Sequence, residues 1–429
     1  MLIEEFKYES DLPRLKIHNV FRYPAKFHPP VAAKLISRFS RPGDAILDPF
    51  CGSGTLLVEA VRAGRTAFGG DVDPLAVFVS QAKTRRYDPE QLEIVLKEVL
   101  KVGETLSRGS VEHDRLMFHD IDDEGYAAQL AGLWVPAIPH LFHWFRRYVT
   151  VDLARLLHTI DKIADGEPGA SAFLRLSFAA VIRNASNADP VPVSGLEVTS
   201  HMRRRDAAGR TIDVWALFRA KAGKVLESIR ELEAARVDSA TAEVVARDAR
   251  LPYDGNAVQA VITSPPYQSA VDYYRRHQLE MFWLGLTGSQ AERLALLPSY
   301  VGRANTPQSH PDALAEWRSS SSANEWLEEI GRVSERRARD FRAYFSAMTM
   351  AFASMDSALV PGGVAVVVVG RSRWSGVTIP TEGLFKELVP STLRLREHLA
   401  YKVSNRTMSY TRHNGADINE EHVLVFERE

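Results

Sequence analysis

Two short stretches carry residue types whose spacing could do chemistry. Asp48-Pro49-Phe50-Cys51-Gly52-Ser53-Gly54-Thr55 follows the apolar run Ala45-Ile46-Leu47 and precedes Leu56–Val61, which has helical character. Strand, tight glycine loop and helix make the first half of a βαβ unit. The glycines let the backbone turn sharply and approach a ligand without a Cβ in the way. The helix start then offers unpaired N–H groups to a cofactor. Far downstream, Ser264-Pro265-Pro266-Tyr267 again ends an apolar run, Ala260–Thr263. Its two prolines lock φ and hold a hydroxyl, a carbonyl and a phenol ring in one rigid turn.

Together these stretches resemble the DNA amino-methyltransferases, which methylate the exocyclic amine of cytosine (N4) or adenine (N6) with S-adenosylmethionine. The family pattern Asp-Pro-Phe-x-Gly-Ser-Gly-Thr is matched at 48–55, and Ser/Asn/Asp-Pro-Pro-aromatic at 264–267. The resemblance extends to Tyr23-Pro24-Ala25-Lys26-Phe27, a segment that in the family lines the methionine end of the cofactor. On its own spacing this segment reads equally well as a proline-rich surface turn. Gly69-Gly70-Asp71-Val72-Asp73-Pro74 ends the next strand, about 20 residues past the glycine loop, where Rossmann-type folds grip ribose hydroxyls with an acid. The family pattern points to Asp71 for that contact, and Asp73 reads as the cap of the helix at Leu75–Lys83. Asp248, at the end of Ala242–Arg247, matches a family acid that bonds the adenine amine of the cofactor.

The resemblance implies a Rossmann-like α/β methyltransferase sheet, mostly parallel, with a C-terminal antiparallel hairpin and a large helical insertion. Residues 1–87 and 241–429 form a discontinuous catalytic domain. Residues 88–240 read as helices at Glu90–Leu106, Val151–Ile163, Ala172–Asn184 and Asp213–Ala234. This insertion is either a structural extension or a DNA-engaging, target-recognition element. Two features bear on that choice. His201-Met202-Arg203-Arg204-Arg205 with Arg210 forms a basic cluster, expected in a loop, and aromatics mix with arginine at Phe142–Tyr148. Such side chains neutralise phosphates and stack on bases. Residues 287–340 make a smaller loop and helix excursion. A helix at Phe341–Leu359, a turn at Pro361-Gly362-Gly363 and a strand at Val364–Val369 return to the sheet. The helix Thr381–Leu388 and a strand pair, Tyr401–Met408 with His422–Phe426, close it.

Composition narrows the class. The 429 residues are 45% hydrophobic and 25% charged, with net charge −1 and one cysteine. That is an ordinary globular balance, and it leaves room for a local basic cleft but not a uniformly basic coat. One cysteine excludes disulfides and cysteine-based zinc sites within the chain. Because Cys51 sits inside the cofactor loop, it also excludes cytosine C5 methylation, which needs a cysteine nucleophile after proline. The N-terminus lacks the basic-then-apolar pattern of an export signal, and the longest apolar run, Val364–Val369, is far too short to span a bilayer. A soluble cytoplasmic protein without membrane contact is expected, prokaryotic or phage-encoded on the family resemblance. Nothing in the sequence sets an oligomeric state.

Serine at position 264, in place of aspartate, leans toward cytosine N4. The implied reaction is direct in-line methyl transfer from S-adenosylmethionine to a flipped base in double-stranded DNA. The implied roles are catalytic for Ser264, Pro265, Pro266 and Tyr267. They are cofactor-binding for Tyr23, Pro24, Lys26, Asp48, Pro49, Phe50, Gly52, Ser53, Gly54, Thr55, Asp71, Asp73 and Asp248, and no metal is expected. A cognate restriction endonuclease is the candidate companion. The alternatives are an adenine-N6 enzyme, an RNA amine methyltransferase, and a DNA-binding regulator without turnover. A nicotinamide oxidoreductase is disfavoured, since no third glycine completes Gly-x-Gly-x-x-Gly.

Overall fold

The computed structural model describes residues 3–8, 14–190, 195–268, 273–314, 320–374, 377–403 and 420–429. Its strands are β1 (Glu4–Glu5), β2 (Ala45–Asp48), β3 (Thr66–Asp71), β4 (Ala242–Ala246), β5 (Val258–Thr263), β6 (Leu359–Gly370), the small hairpin β7 (Ser372–Trp374) and β8 (Val377–Ile379), β9 (Leu393–Lys402) and β10 (Glu420–Arg428). Among the described residues eight of these form one sheet in the order β1-β9-β10-β6-β5-β2-β3-β4. The pairs β5/β6, β5/β2, β2/β3 and β3/β4 are parallel, and β10 runs antiparallel to both β6 and β9. The chain leaves β2 toward β3 and β4 on one side, and later leaves β5 toward β6 on the other. The order therefore reverses between β2 and β5, which is where open α/β sheets bind ligands beyond their carboxyl ends.

Helices flank the sheet: α1 (Pro29–Phe39), α2 (Thr55–Arg62) and α3 (Pro74–Thr84), then the inserted α4 (Pro89–Leu106), α5 (Ser110–Leu116), α6 (Asp123–Gln129), α7 (Leu141–Trp144), α8 (Arg147–Ile163), α9 (Pro168–Ala185), α10 (Ser200–Ala207) and α11 (Val214–Ala235). After β5 come α12 (Tyr273–Arg276), α13 (Gln278–Trp283), α14 (Gln290–Ala295), α15 (Pro311–Leu314), α16 (Ser321–Val333), α17 (Glu335–Ala358) and α18 (Thr381–Leu388). In β6 the alternate residues Val366 and Val368 pack with α1 and α2, whereas Ala365, Val367 and Val369 pack with α17 and α18. Period-two alternation inside a fully apolar run is what a strand covered on both faces requires. The inserted helices build a third core around Tyr148, Phe173, Phe178 and Phe218. It is continuous with Leu75 and Val79 of α3 and with Phe282 and Trp283 of α13.

Several expectations are corrected. Residues 201–205 lie in a helix, because Thr199 caps it with its side chain and Met202 anchors it. Pro361-Gly362-Gly363 is not a separate turn but a bulge within β6, where the register jumps between Val258/Leu359 and Ala260/Val364. The closing strand is Leu393–Lys402 rather than 401–408, of which 404–408 lie outside the described residues. The long helix begins at Glu335, six residues before Phe341, where Ser334 caps it. Ahead of the first segment read in the sequence lies β1, parallel to β9. Among the described residues no helix is long and apolar enough to cross a membrane.

Candidate active site

The loop after β2 is fixed from several sides. Gly52 and Gly54 take φ of +49° and +75°, a region that only glycine enters freely. A Cβ on Gly54 would also stand 2.9 Å from Ser80 Oγ. From α3, Ser80 Oγ donates to the Gly52 carbonyl at 2.7 Å and Lys83 Nζ to the Ser53 carbonyl at 2.6 Å. Burial holds that ammonium down to about 7. The Gly52 N–H donates to Asp71 Oδ2 at 2.9 Å, so β3 and the loop are tied at the cleft floor. Tyr23 closes the side: its ring lies 3.4 Å from where a Gly52 Cβ would be and stacks on His277 at 5.1 Å. Lys26 turns its ammonium onto the His18 carbonyl at 2.5 Å, and burial with Arg22 nearby holds it to about 8.

Three carboxyls gather here. Asp48 is pushed up to about 7 by burial, against the hydrogen bond that Thr263 Oγ1 donates to it at 2.6 Å. Burial likewise pushes Asp71 up to about 6, and burial plus the charge of Asp71 pushes Asp73 up to about 7. Asp73 caps α3, accepting from the Leu75 N–H at 2.9 Å. The Tyr300 phenol is raised by burial and by the neighbouring charges of Asp73 and Asp71.

The Asp48–Thr263 bond joins the ends of β2 and β5, and it brings the two sequence stretches to one place. Their cleft encloses about 810 Å³ of empty space, its open mouth included. Of the residues singled out in the sequence, Tyr23, Lys26, Asp48, Pro49, Phe50, Gly52, Ser53, Thr55, Asp71, Asp73, Asp248, Ser264 and Pro266 line it. Pro24, Gly54, Pro265 and Tyr267 do not. Pro265 is buried. Tyr267 donates its hydroxyl to Glu421 Oε1 at 2.8 Å, and Tyr401 donates to the other oxygen of the same carboxylate. Asp248 holds Arg250 through both oxygens, and Arg250 reaches on to Asp312 at 2.5 Å.

Sequence reasoning missed Arg247, Val72 and the segment Ser299-Tyr300-Val301, all of which line the cleft. Arg247 adjoins Asp248, so the neighbourhood was marked. Nothing local marks Ser299–Val301, which folds back from the loop-rich excursion. Among the described residues no group of three or more His, Cys, Asp or Glu is arranged to hold a metal ion.

The site suits a cationic, nucleoside-bearing cofactor. The glycine loop brings its backbone close to the cleft, the three acids line it, and among the described residues Ser53 Oγ is buried without a hydrogen-bond partner. Comparison with known proteins agrees. A DNA methylase family model matches residues 5–82. The type II methyltransferase M.MvaI of Kocuria varians is 21% identical over 393 residues, 86% of this chain and 80% of that protein. M.BsoBI of Geobacillus stearothermophilus is 23% identical over 407 residues, 86% and 76% of the two chains. M.MjaII of Methanocaldococcus jannaschii is 21% identical over 363 residues, 70% and 68%. These likenesses support the DNA amino-methyltransferase family and, with it, a methyltransferase enzyme whose cofactor is S-adenosylmethionine.

Proposed function

We propose that the protein methylates the exocyclic N4 amine of cytosine in double-stranded DNA. The observation that carries this reading is the meeting of Gly52, Asp71, Ser264 and Pro266 in one cleft at the strand-order reversal. S-adenosylmethionine, when bound, supplies an electrophilic methyl group on a sulfonium. The chain's own residues prepare the nucleophile. An exocyclic amine is weakly nucleophilic because its lone pair is delocalised into the ring. Ser264 Oγ and the Pro265 carbonyl accept its two N–H bonds and draw the nitrogen toward tetrahedral geometry. Pro265 and Pro266 hold those acceptors still, which lowers the entropic cost of alignment. The target base leaves the duplex to reach them. Tyr267, whose hydroxyl is tied to Glu421 and whose ring stands outside the cleft lining, is assigned the stacking contact with that base. The amine loses its proton after transfer, so no general base of unusual pKa is required.

In this reading 1–87 and 241–429 form the catalytic unit and 88–240 engages DNA. Serine at 264 favours cytosine; the family model covers both amines, so adenine N6 is the second reading. Digesting DNA from an expressing host and weighing its nucleosides tests the choice. N4-methylcytosine is expected, N6-methyladenine alone would reassign the base, and neither modification would overturn the reading. Ser264→Ala and Tyr267→Ala should each lose transfer while still binding cofactor, and retained transfer in both would remove this mechanism.

A further inference from the structure

We infer that α10, together with Phe118, is the surface that grips the DNA backbone beside the target base; this rests on the proposed function. Helix α10 has one inward anchor, Met202, at 1% exposure. His201, Arg203, Arg204 and Arg205 are exposed, and among the described residues the three arginines make no ion pair. The acid that could have paired with them is spent elsewhere: Asp206 accepts from Arg210 at 2.7 Å and from Arg146 at 3.4 Å. Three adjacent guanidiniums repel one another, and no described carboxylate offsets them although Asp+Glu (54) and Lys+Arg (53) nearly balance over the chain. Their lack of partners indicates an anion supplied from outside. At the C-terminal end of α10 Phe118 is 66% exposed, its ring edge 2.9 Å from where a Cβ on Gly209 would lie. An open aromatic at the end of a helix with unpaired arginines suits a DNA site from which a base is flipped, which offers phosphates and an unstacked face together.

The position fits as well. The loop entering α10 is bolted to the cleft wall and to the segment after the Ser-Pro-Pro-Tyr turn. Arg22, next to Tyr23, donates to the Pro190 carbonyl at 2.5 Å. Arg183 donates to the carbonyls of Asp189, Gly195 and Arg276 at 3.0–3.1 Å. Thr199 Oγ1, at the helix cap, donates to Asp189 Oδ2 at 2.8 Å.

The test measures binding of a labelled mixed-sequence duplex against salt, with cofactor binding and DNA methylation followed in parallel. Replacing Arg203, Arg204 and Arg205 together by Ala should make the slope of log affinity on log salt shallower by about 2 to 3 and weaken binding at least about tenfold. Cofactor affinity should stay unchanged, and the triple Lys variant should keep the slope. Phe118→Ala should weaken binding about fivefold or more without changing the slope. If the wild type methylates duplex DNA while the Ala variant keeps both slope and affinity, this inference falls and the proposed function stands. If the wild type binds cofactor but neither binds nor methylates duplex, the function falls and takes the inference with it.

Discussion

The three carboxyls at the cleft floor make a quantitative prediction about cofactor binding. Asp48 and Asp73 are raised to about 7 and Asp71 to about 6, in each case chiefly by burial. A carboxyl raised this way carries a proton that the unfolded chain would already have released. Its stabilising effect is therefore present at low pH and lost as pH rises through 6 to 7. A cationic ligand held in the cleft by these residues would favour their ionised forms, and its binding would then expel protons. If the cation needs all three charged, lowering pH from about 8 to about 6 costs roughly tenfold each at Asp48 and Asp73 and twofold at Asp71, or up to about 200-fold in affinity. S-adenosylhomocysteine lacks the sulfonium charge and should show much less of this dependence. Asp48→Asn should remove about one tenfold share.

Calorimetric titration of both ligands across that range, in buffers of different ionisation enthalpy, reads affinity and proton release together. Thermal melts give an independent check, since the rise in melting temperature on adding the cofactor should be larger at the alkaline end. Affinities for the two ligands that stay parallel and flat within about twofold would refute the coupling of these acids to the charge of the ligand.

Other outcomes follow from the same geometry. Glu421→Ala releases the phenols of Tyr267 and Tyr401 from a charged acceptor, each bond worth about 1.5–3 kcal/mol. Steady-state kinetics should show kcat for methyl transfer falling about tenfold or more while cofactor affinity holds. Trp283→Ala empties a fully buried site shared by α13 and the inserted helices, and urea unfolding should report a loss of about 3–5 kcal/mol. Lys386 donates to His398 Nδ1 at 2.7 Å, which leaves His398 Nε2–H to donate to His422 Nδ1 at 3.0 Å. Burial, with Lys386 beside it, holds His398 to about 4, so the unfolded chain takes up its proton first. That contribution to stability is full above about pH 6.5 and lost as pH falls toward 4. The urea midpoint should drop between about pH 7 and 5, and His398→Gln should flatten the drop.

How much of this was legible in the sequence depended on whether a feature is written locally. The glycine loop is, because φ near +75° at Gly54 and the crowding by Ser80 admit no other residue. The helix cap at Asp73 is: it stands before Pro74 and accepts from the Leu75 N–H, whereas the like cap at Asp88 before Pro89 went unread. So is the period-two packing of β6, whose apolar run is too short for a buried helix of ordinary length. The fold class was implied by the family resemblance that the glycine loop helps to carry, and the rule that open parallel sheets bind ligands at their reversal point then locates the cleft. What failed was pattern without a stripe. Residues 201–205 show no apolar period, so they read as loop, although Thr199 is a good cap and arginine a good helix former.

The remaining features are relations between distant residues, and they decide how the cleft is finished. The carboxylate that fixes Tyr267 lies 154 residues away at Glu421. The wall at Ser299–Val301 comes from a stretch whose composition marks only a loop. Asp248 was found as a strand-end acid, but the arginine that occupies it is two residues on and its second partner, Asp312, sits 62 residues beyond that. In each case the part that touches backbone is announced by residue type and spacing. The part that sets charge and orientation depends on which loop folds back over the sheet. A sequence therefore discloses a cofactor loop of this kind more readily than the devices that tune it, since the loop's constraint is steric and local. Tuning is electrostatic and set by burial, which no stretch of chain possesses until the others have covered it.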